Sequence, residues 1–510
     1  MKPTGFRLFA LPRPLLSSVL LAGLGGCAVG PDYHTPAPPP LASVAAADLP
    51  GGTTVSGGVS QTFVAGADIS GEWWTLYHSP ALNSLIDRAL ANNPTLTASQ
   101  QTLIEARETV RAEQGYYVPS LSGSFQAERQ RISAADLASS GQGAGAANAN
   151  IAPFALYNAT LSVSYGLDVF GGLRRQVESL AAQEEYERYE LEAAYLSLTA
   201  NIVTAAVTEA SLRAQIDATN QIIAADRKQL SILHQQVALG GIPVANVLSE
   251  QATLAAVLAT LPPLQLALAE ARNQLADYVG SFPANYHEAD FTLGSLHLPE
   301  TLPVSLPSAL VAQRPDIAAA AAQLHEASAN LGVATANMLP QISLSADVGH
   351  DALSTASLFT PQTLLWSLVA GVNQPIFEGG TLTAKRQAAV AALRVAGAQY
   401  QATVLSAFQD VANALQAVQY DADTLAADQV AEDAAAKSLA VIEDQVRFGG
   451  QPFTAELTAQ NAYENDVIAR VKAQAARLSD TAALFQALGG GWWHRQDVGA
   501  QAKNCCGLIP

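Results

Sequence analysis

The chain repeats itself, and the repeat limits what it can fold into more than any other feature. Gly240, Gly241, Pro243, Leu248 and Gln251 match Gly449, Gly450, Pro452, Leu457 and Gln460, each displaced by 209 positions. Upstream, Asn93-Pro94 followed by Pro119 corresponds to Arg314-Pro315 followed by Pro340, and Phe170-Gly171-Gly172 corresponds to Phe377-Glu378-Gly379. Two halves with the same order of landmarks are two copies of one supersecondary unit. Each reads as a helix, two strands, a very long helix, a Gly-Pro turn and a returning helix.

The long helices carry a 3.5-residue repeat. In the first half it runs through Leu191, Tyr195, Leu198, Ile202, Ala205, Leu212, Ile216, Ile223, Leu230, Leu233 and Val237; in the second, through Val404, Val411, Ala414, Val418, Leu425, Ala435, Leu439, Ile442 and Val446. Such a seam implies coiled-coil packing. About 65 residues at ~1.5 Å each make a rod of roughly 100 Å. Only 14% of residues are charged and 6% aromatic, which favours closely packed helices over an ordinary mixed domain. Glu209, Thr219 and Asp226 interrupt one seam, and Asp421, Asp428 and Glu432 the other. Helices forming the wall of a water-filled tube would tolerate these groups on a wet face, whereas a closed bundle would resist them. Seam positions lying near solvent are the plainer reading of each one.

Between the helices the period changes to two. Tyr157, Ala159, Leu161, Val163, Tyr165, Leu167 and Val169 alternate with polar or small residues, as do Leu121, Phe125 and Ala127. Ile342, Leu344, Ala346 and Val348, and Trp366, Leu368, Ala370 and Val372, follow the same rule. Strands of about 9 to 13 residues with one apolar and one polar face are long enough to cross a bilayer when tilted. Four of them cannot seal a barrel in lipid, so several chains would have to share one. A soluble four-stranded sheet is the alternative. The stretch from Arg129 to Pro153 suits a flexible outer loop, with Leu353 to Pro361 its shorter partner.

The formal charge is −18; without the first 26 residues it is −21, with 23 basic against 44 acidic side chains. Nucleic acid is therefore not an expected partner. The N-terminus has Lys2, Arg7 and Arg13, an apolar run from Leu15 to Leu24, and then Gly25-Gly26-Cys27. This resembles a lipoprotein signal (1–26), with cleavage before Cys27 and a covalent lipid on that residue; an ordinary secretory signal with a chance cysteine is the alternative. No other segment of about 18 apolar residues is evident, so no helix is expected to span a bilayer. Cys505 and Cys506 have no assigned role. No two of the eight histidines stand at metal-binding helical spacing. Gly141, Gly143 and Gly145 lack the strand and helix of a dinucleotide loop. No catalytic site, metal or cofactor is expected beyond the lipid on Cys27.

Several segments together resemble the TolC-like outer-membrane efflux proteins, specifically their lipoprotein branch of OprM-like and NodT-like channels. They are Gly26-Cys27 with Gly30-Pro31-Asp32-Tyr33, Trp73-Trp74 before Leu82 to Ile86, Arg314-Pro315-Asp316-Ile317, and Leu488 to Trp492. The resemblance implies a mainly α protein with a transmembrane β-barrel: a homotrimer whose twelve strands close in outer-membrane lipid and whose helices form a periplasmic tunnel. It also implies a non-enzymatic duct for small toxic compounds and drugs, coupled to a periplasmic adaptor and an inner-membrane transporter of the proton-driven kind. On this basis the expected divisions are a lipid-anchored extended segment (27–78), the helical tunnel with equatorial segments (79–118, 173–338 and 381–488), the membrane strands (119–172 and 339–380) and a tail (489–510).

The same resemblance assigns adaptor contact to the turns at Gly240, Gly241, Pro243 and at Gly449, Gly450, Pro452, where turn chemistry alone already explains the residue types. Family channels often have aspartates beyond the second turn, but Ala455 and Thr458 stand there instead. Glu456 lies between them and Glu250 follows the other turn, so either could form an acidic gate or sit on an exposed helical surface. Two rival readings remain: an exit duct for secreted polypeptides, which shares every feature, and a lipid-anchored coiled-coil scaffold, which does not need the strands.

Overall fold

The computed structural model describes residues 28–40, 51–57, 59–131, 152–287, 290–305 and 307–495. Cys27, the signal segment, most of the 129–153 loop, and Cys505 and Cys506 lie outside the described residues. In chain order the elements are β1 (Thr62–Ala65), α1 (Pro80–Asn92), α2 (Pro94–Gln114), β2 (Ser120–Gln130), β3 (Phe154–Leu167), α3 (Gly172–Ala238), α4 (Val244–Tyr278), β4 (Thr301–Val304), α5 (Pro307–Gln313), α6 (Pro315–Ala336), β5 (Gln341–Ala352), β6 (Leu364–Asn373), α7 (Thr381–Arg447) and α8 (Phe453–Ala487). The repeat is exact in length: α3 and α7 have 67 residues each, and α4 and α8 have 35 each. The chain divides into two compact units.

The first unit takes in Met1–Thr35, Glu105–Glu184 and Ala322–Ala398, and so contains the whole antiparallel sheet, ordered β2-β3-β5-β6. Its register aligns the period-two pattern across all four strands: Gly123, Leu161, Val348 and Trp366 form one row, and Leu121, Val163, Ala346 and Leu368 the next. The intervening row of Ser122, Ser162, Asp347 and Ser367 is polar, with Ser367 donating to Asp347 at 2.9 Å. Leu121, Phe125, Trp366 and Leu368 on the apolar face are each more than 60% exposed.

At the foot of β3, Asp168 accepts the N–H groups of Leu173 and Arg174, both at 2.9 Å, and so satisfies free donors at the start of α3. The N-terminal segment docks beside it. Val29 donates to the Phe170 carbonyl (3.1 Å), Arg175 reaches Asp32 (2.7 Å) and Tyr33 stacks on His325 at 4.3 Å. A side chain at Gly30, whose φ is +102°, would come within 2.6 Å of the Gly332 backbone, so the close approach requires glycine there.

The second unit takes in Pro36–Ile104, Glu185–Ala321 and Gln399–Pro510. Its core contains Trp73, Trp74, Tyr77, Leu82, Leu85 and Ile86 packed with Ile202, Leu275, Val411, Leu478 and Phe485, so the seam residues of both halves meet in one cluster. Trp73 stacks on Phe485 at 5.4 Å, and Tyr77 donates to the Leu478 carbonyl at 2.8 Å. Arg314 bonds Asp316 (2.7 Å), Asp410 (3.0 Å) and the terminal carbonyl of α8 at Ala487 (2.9 Å), placing a cation where that helix leaves acceptors free. A small parallel pair, β1 with β4, adds an element that the period-two pattern did not reveal.

Two expectations are corrected here. Glu209, Thr219 and Asp226 are not on a wet face; each is at most 4% exposed. Bonding offsets part of the cost: Glu209 pairs with Arg213 at 2.9 Å, Thr219 donates to the Gln215 carbonyl at 2.8 Å, and Asp226 accepts from Gln460, while the second oxygen of each acid is left without a partner. The second correction concerns apolar length. α3 and α4 each contain an 18-residue window apolar enough by composition to cross a membrane, with mean hydropathy 1.2 and 1.6. Alanine-rich helices reach such values while packing against other helices, yet the α4 window is not buried within the chain. Pro262 and Pro263 lie inside that helix.

Arg477 of α8 is fully buried and holds the segment before β1, donating to the Ser56 carbonyl (2.8 Å), the Val59 carbonyl (3.1 Å) and the Gln61 side chain (3.3 Å). Truncation strands those acceptors without water. Arg477→Ala is expected to destabilise the second unit by about 2–4 kcal/mol, read as a lower melting temperature together with new protease cleavage between residues 51 and 65.

Candidate functional site

The two helix turns are the same structure made twice. Gly240 donates to Val237 (2.9 Å) and Gly241 to Gln236 (2.8 Å); Gly449 donates to Val446 (3.1 Å) and Gly450 to Gln445 (2.7 Å). These paired bonds close the last turns of α3 and α7 as Schellman motifs, which place the first glycine in the left-handed region. Gly240 has φ +76° and Gly449 φ +78°. Pro243 and Pro452, extended at φ −69° and −77°, then start α4 and α8. Leu239 and Phe448 stand at the tips, 86% and 82% exposed. Just behind them Leu233, Val247 and Phe453 form a small buried cluster that ties α3, α4 and α8 together.

Glu250 and Glu456 are brought together, and neither lies on an exposed helical surface: they are 0% and 8% exposed. A carboxylate lining an acidic constriction needs water in front of it, and Glu250 has none, so the gate reading is corrected in that form. The carboxyls instead face into the packing of α3, α4 and α8. Asp226 and Glu464 complete the group, with Gln229 donating to Glu456 at 2.6 Å and Gln460 to Glu464 at 3.1 Å and to Asp226. Neither oxygen of Glu250 has a hydrogen-bond partner.

Burial raises all four acids. Glu250 is pushed up to about 7 by burial first and then by the negative charges of Asp226 and Glu456. Glu464 also rises to about 7, through burial and then the charge of Asp226. Burial raises Asp226 against its bonds to Glu464 and Gln460. It raises Glu456 as well, with help from Glu443 and against the bond from Gln229. Asp226 interrupts the seam and Gln460 marks the repeat, but neither pattern connects them with each other or with Glu464. The signal was present in Glu456, Gln460 and Glu464, which at i, i+4 and i+8 line one face of α8. Among the described residues no group of three or more histidine, cysteine or acidic side chains is arranged to hold a metal ion.

The model of the outer membrane efflux protein family matches residues 85–281 and 306–490. The chain belongs to that family. Its relatives include the pyoverdine export outer membrane protein OpmQ of Pseudomonas aeruginosa, 30% identical over 82% of this chain and 87% of that protein. The toluene efflux pump outer membrane protein TtgF of Pseudomonas putida is 30% identical over 96% of this chain and 99% of its own length. Among solved structures, the open state of the MtrE outer membrane channel of Neisseria gonorrhoeae superposes with a TM-score of 0.77 at 26% identity, over 91% of this chain and 99% of that one. The efflux protein described here is thus an outer-membrane channel with the mainly helical tunnel and barrel of its family.

The turns have room for a side chain, since nothing lies within 4 Å of a Cβ built on Gly240 or Gly449. Substitution is therefore a backbone strain of about 1–2 kcal/mol per site and not a clash. Gly449→Val is expected to lower the melting temperature slightly without unfolding the protein. Gly449→Asn, which tolerates that backbone, should melt like the parent; equal loss in both variants would place the cost in the side chain instead.

Proposed function

We propose that three copies of the chain close their sheets into one twelve-stranded barrel, and that the duct so formed is the outer-membrane exit of a tripartite efflux system. One observation carries this reading: a four-stranded sheet with an exposed apolar face ends in two unpaired edges, β2 and β6. In lipid each unpaired backbone group costs several kcal/mol, and pairing β2 of one protomer with β6 of the next removes the cost. The uncovered apolar window of α4 supports the same assembly, because a neighbouring protomer would bury it.

A lipid on Cys27 adds an anchor. The docking of Val29 to Tyr33 at the foot of β3 supports that role, since it would hold an anchor two residues upstream beside the membrane edge of the sheet. The turns at Gly240–Pro243 and Gly449–Pro452, with Leu239 and Phe448 projecting, are the contact surface for a periplasmic adaptor, which links the duct to a proton-driven inner-membrane pump. The cargo is small toxic compounds. Relatives named for pyoverdine export and for toluene efflux are equally identical to this chain, which fits a passive duct whose pump selects the substrate.

Purified protein is expected to run as a trimer in detergent and to conduct ions in planar bilayers with a cation bias. Deleting the gene should raise susceptibility in a panel of toxic compounds; unchanged susceptibility with a missing secreted polypeptide would move the assignment to secretion. Leu368→Arg, on the apolar face of β6, should cost about 2–4 kcal/mol of barrel stability in lipid. That loss would be read as dissociation of heat-stable trimers on gels, and an unaffected trimer would mean that this face does not meet lipid.

A further inference from the structure

Four carboxyls gathered without a cation are poorly suited to holding helices together as anions. Asp226 comes from α3, Glu250 from α4, and Glu456 and Glu464 from α8, so the group joins the hairpin of the first half to the returning helix of the second. Among the described residues the charges that act on it are negative: Asp226 and Glu456 act on Glu250, Glu443 of α7 acts on Glu456, and Asp226 and Glu250 act on Glu464. Arg227 and Lys228, beside Asp226 on α3, are exposed. The amides of Gln229 and Gln460 donate to the group, and Asp226 and Glu464 bond each other, which requires a proton on one of the two.

The internal repeat supplies a control. Shifted by 209, the four positions become Ala435, Ala459, Val247 and Ala255, all small or apolar. Val247 and Ala459 are buried with no acid at their places, whereas Ala255 is exposed and Ala435 half-buried, so the enclosed carboxyl group belongs to this contact alone and is not a demand of the repeated helix pair. Glu250 in particular is wholly enclosed with both oxygens unbonded, a state that disfavours its charge and rewards protonation.

We propose that Asp226, Glu250, Glu456 and Glu464 form a proton-operated clasp that holds α8 against the α3–α4 hairpin when the periplasm is acidic and releases it when the acids ionise. The clasp rests on the reading of the chain as a duct, since it sits within about 20 Å of the turns along each helix. The direction follows from linkage. Carboxyls that bind protons more tightly in the packed state favour packing fully below their ordinary values, and that preference is lost as pH rises through the packed-state values. For Glu250 and Glu464 the window runs from 4.5 to about 7. Above it, two or more adjacent carboxylates would repel and admit water between the helices.

Nitroxide labels at Leu248→Cys and Thr454→Cys, both exposed positions on α4 and α8, report the separation in a full-length background with Cys505→Ser and Cys506→Ser. A short-distance population is expected at pH 5.5 whose share falls at least about threefold by pH 8. In Glu250→Gln/Glu464→Gln it should stay short at both. A population unchanged across that range overturns the clasp, and so does a variant that follows the parent's pH dependence. Recovery of the short population at pH 8 on adding calcium ions also overturns it, because the cluster would then be a cation site. The parent's pH series decides the question even if the variant fails to fold. Conductance tests the duct separately: a labelled protein that shows the distance change but never conducts would retain the clasp and refute the duct.

Discussion

Backbone hydrogen bonding at the sheet edges is the constraint on which the rest of the molecule depends. The pairings β2 with β3, β3 with β5 and β5 with β6 are made within the chain, and they leave one edge of β2 and one of β6 with unpaired groups. Water would satisfy them and lipid would not. The apolar row through Leu161, Val348 and Trp366 is exposed, and in the proposed trimer lipid covers it while the edges pair with those of other copies. The remaining architecture follows from serving that sheet: Asp168 starts α3 directly beneath β3, and the chain passes from strand geometry to helix geometry within five residues.

Features with a local cause were legible in the sequence. The period-two strands, the 3.5-residue seams and the Gly-Gly-x-Pro turns each reflect geometry within a few residues, and each half repeats them, so the pattern is read twice. Features made by distant partners were not. β1 and β4 are four-residue strands that pair across more than 230 positions, too short to show a period. The acids of the first seam looked wet because their partners, Arg213 apart, come from other helices, as Gln460 does for Asp226. The N-terminal motif was recognised by resemblance, and its physical meaning came only with the contacts: Gly30 for the approach to Gly332, Asp32 for Arg175, Tyr33 for His325.

Two arginines, Arg314 half-buried and Arg477 buried, organise the helical unit in different ways. Arg314 completes the C-terminus of α8 and ties it to Asp410 on α7, so its charge meets both a carboxylate and the partial charge of a helix end. Arg477 mostly meets neutral acceptors, and burial lowers its basicity despite the charge of Asp421. The first is an electrostatic joint; the second is a set of directional bonds that shapes a chain segment with no regular structure of its own.

The paired prolines of α4 give that helix a property its counterpart α8 lacks. Neither Pro262 nor Pro263 has an amide hydrogen, so the carbonyls of Leu258 and Ala259 lose their axial partners at adjacent positions. Bending stiffness drops locally while the helix on either side keeps its own. The stretch from Pro243 to this point is therefore a short arm with a compliant root, fastened at its far end by Val247 against Leu233 and Phe453, so a shift of that cluster is absorbed at the prolines before it reaches Leu275 and Ala276.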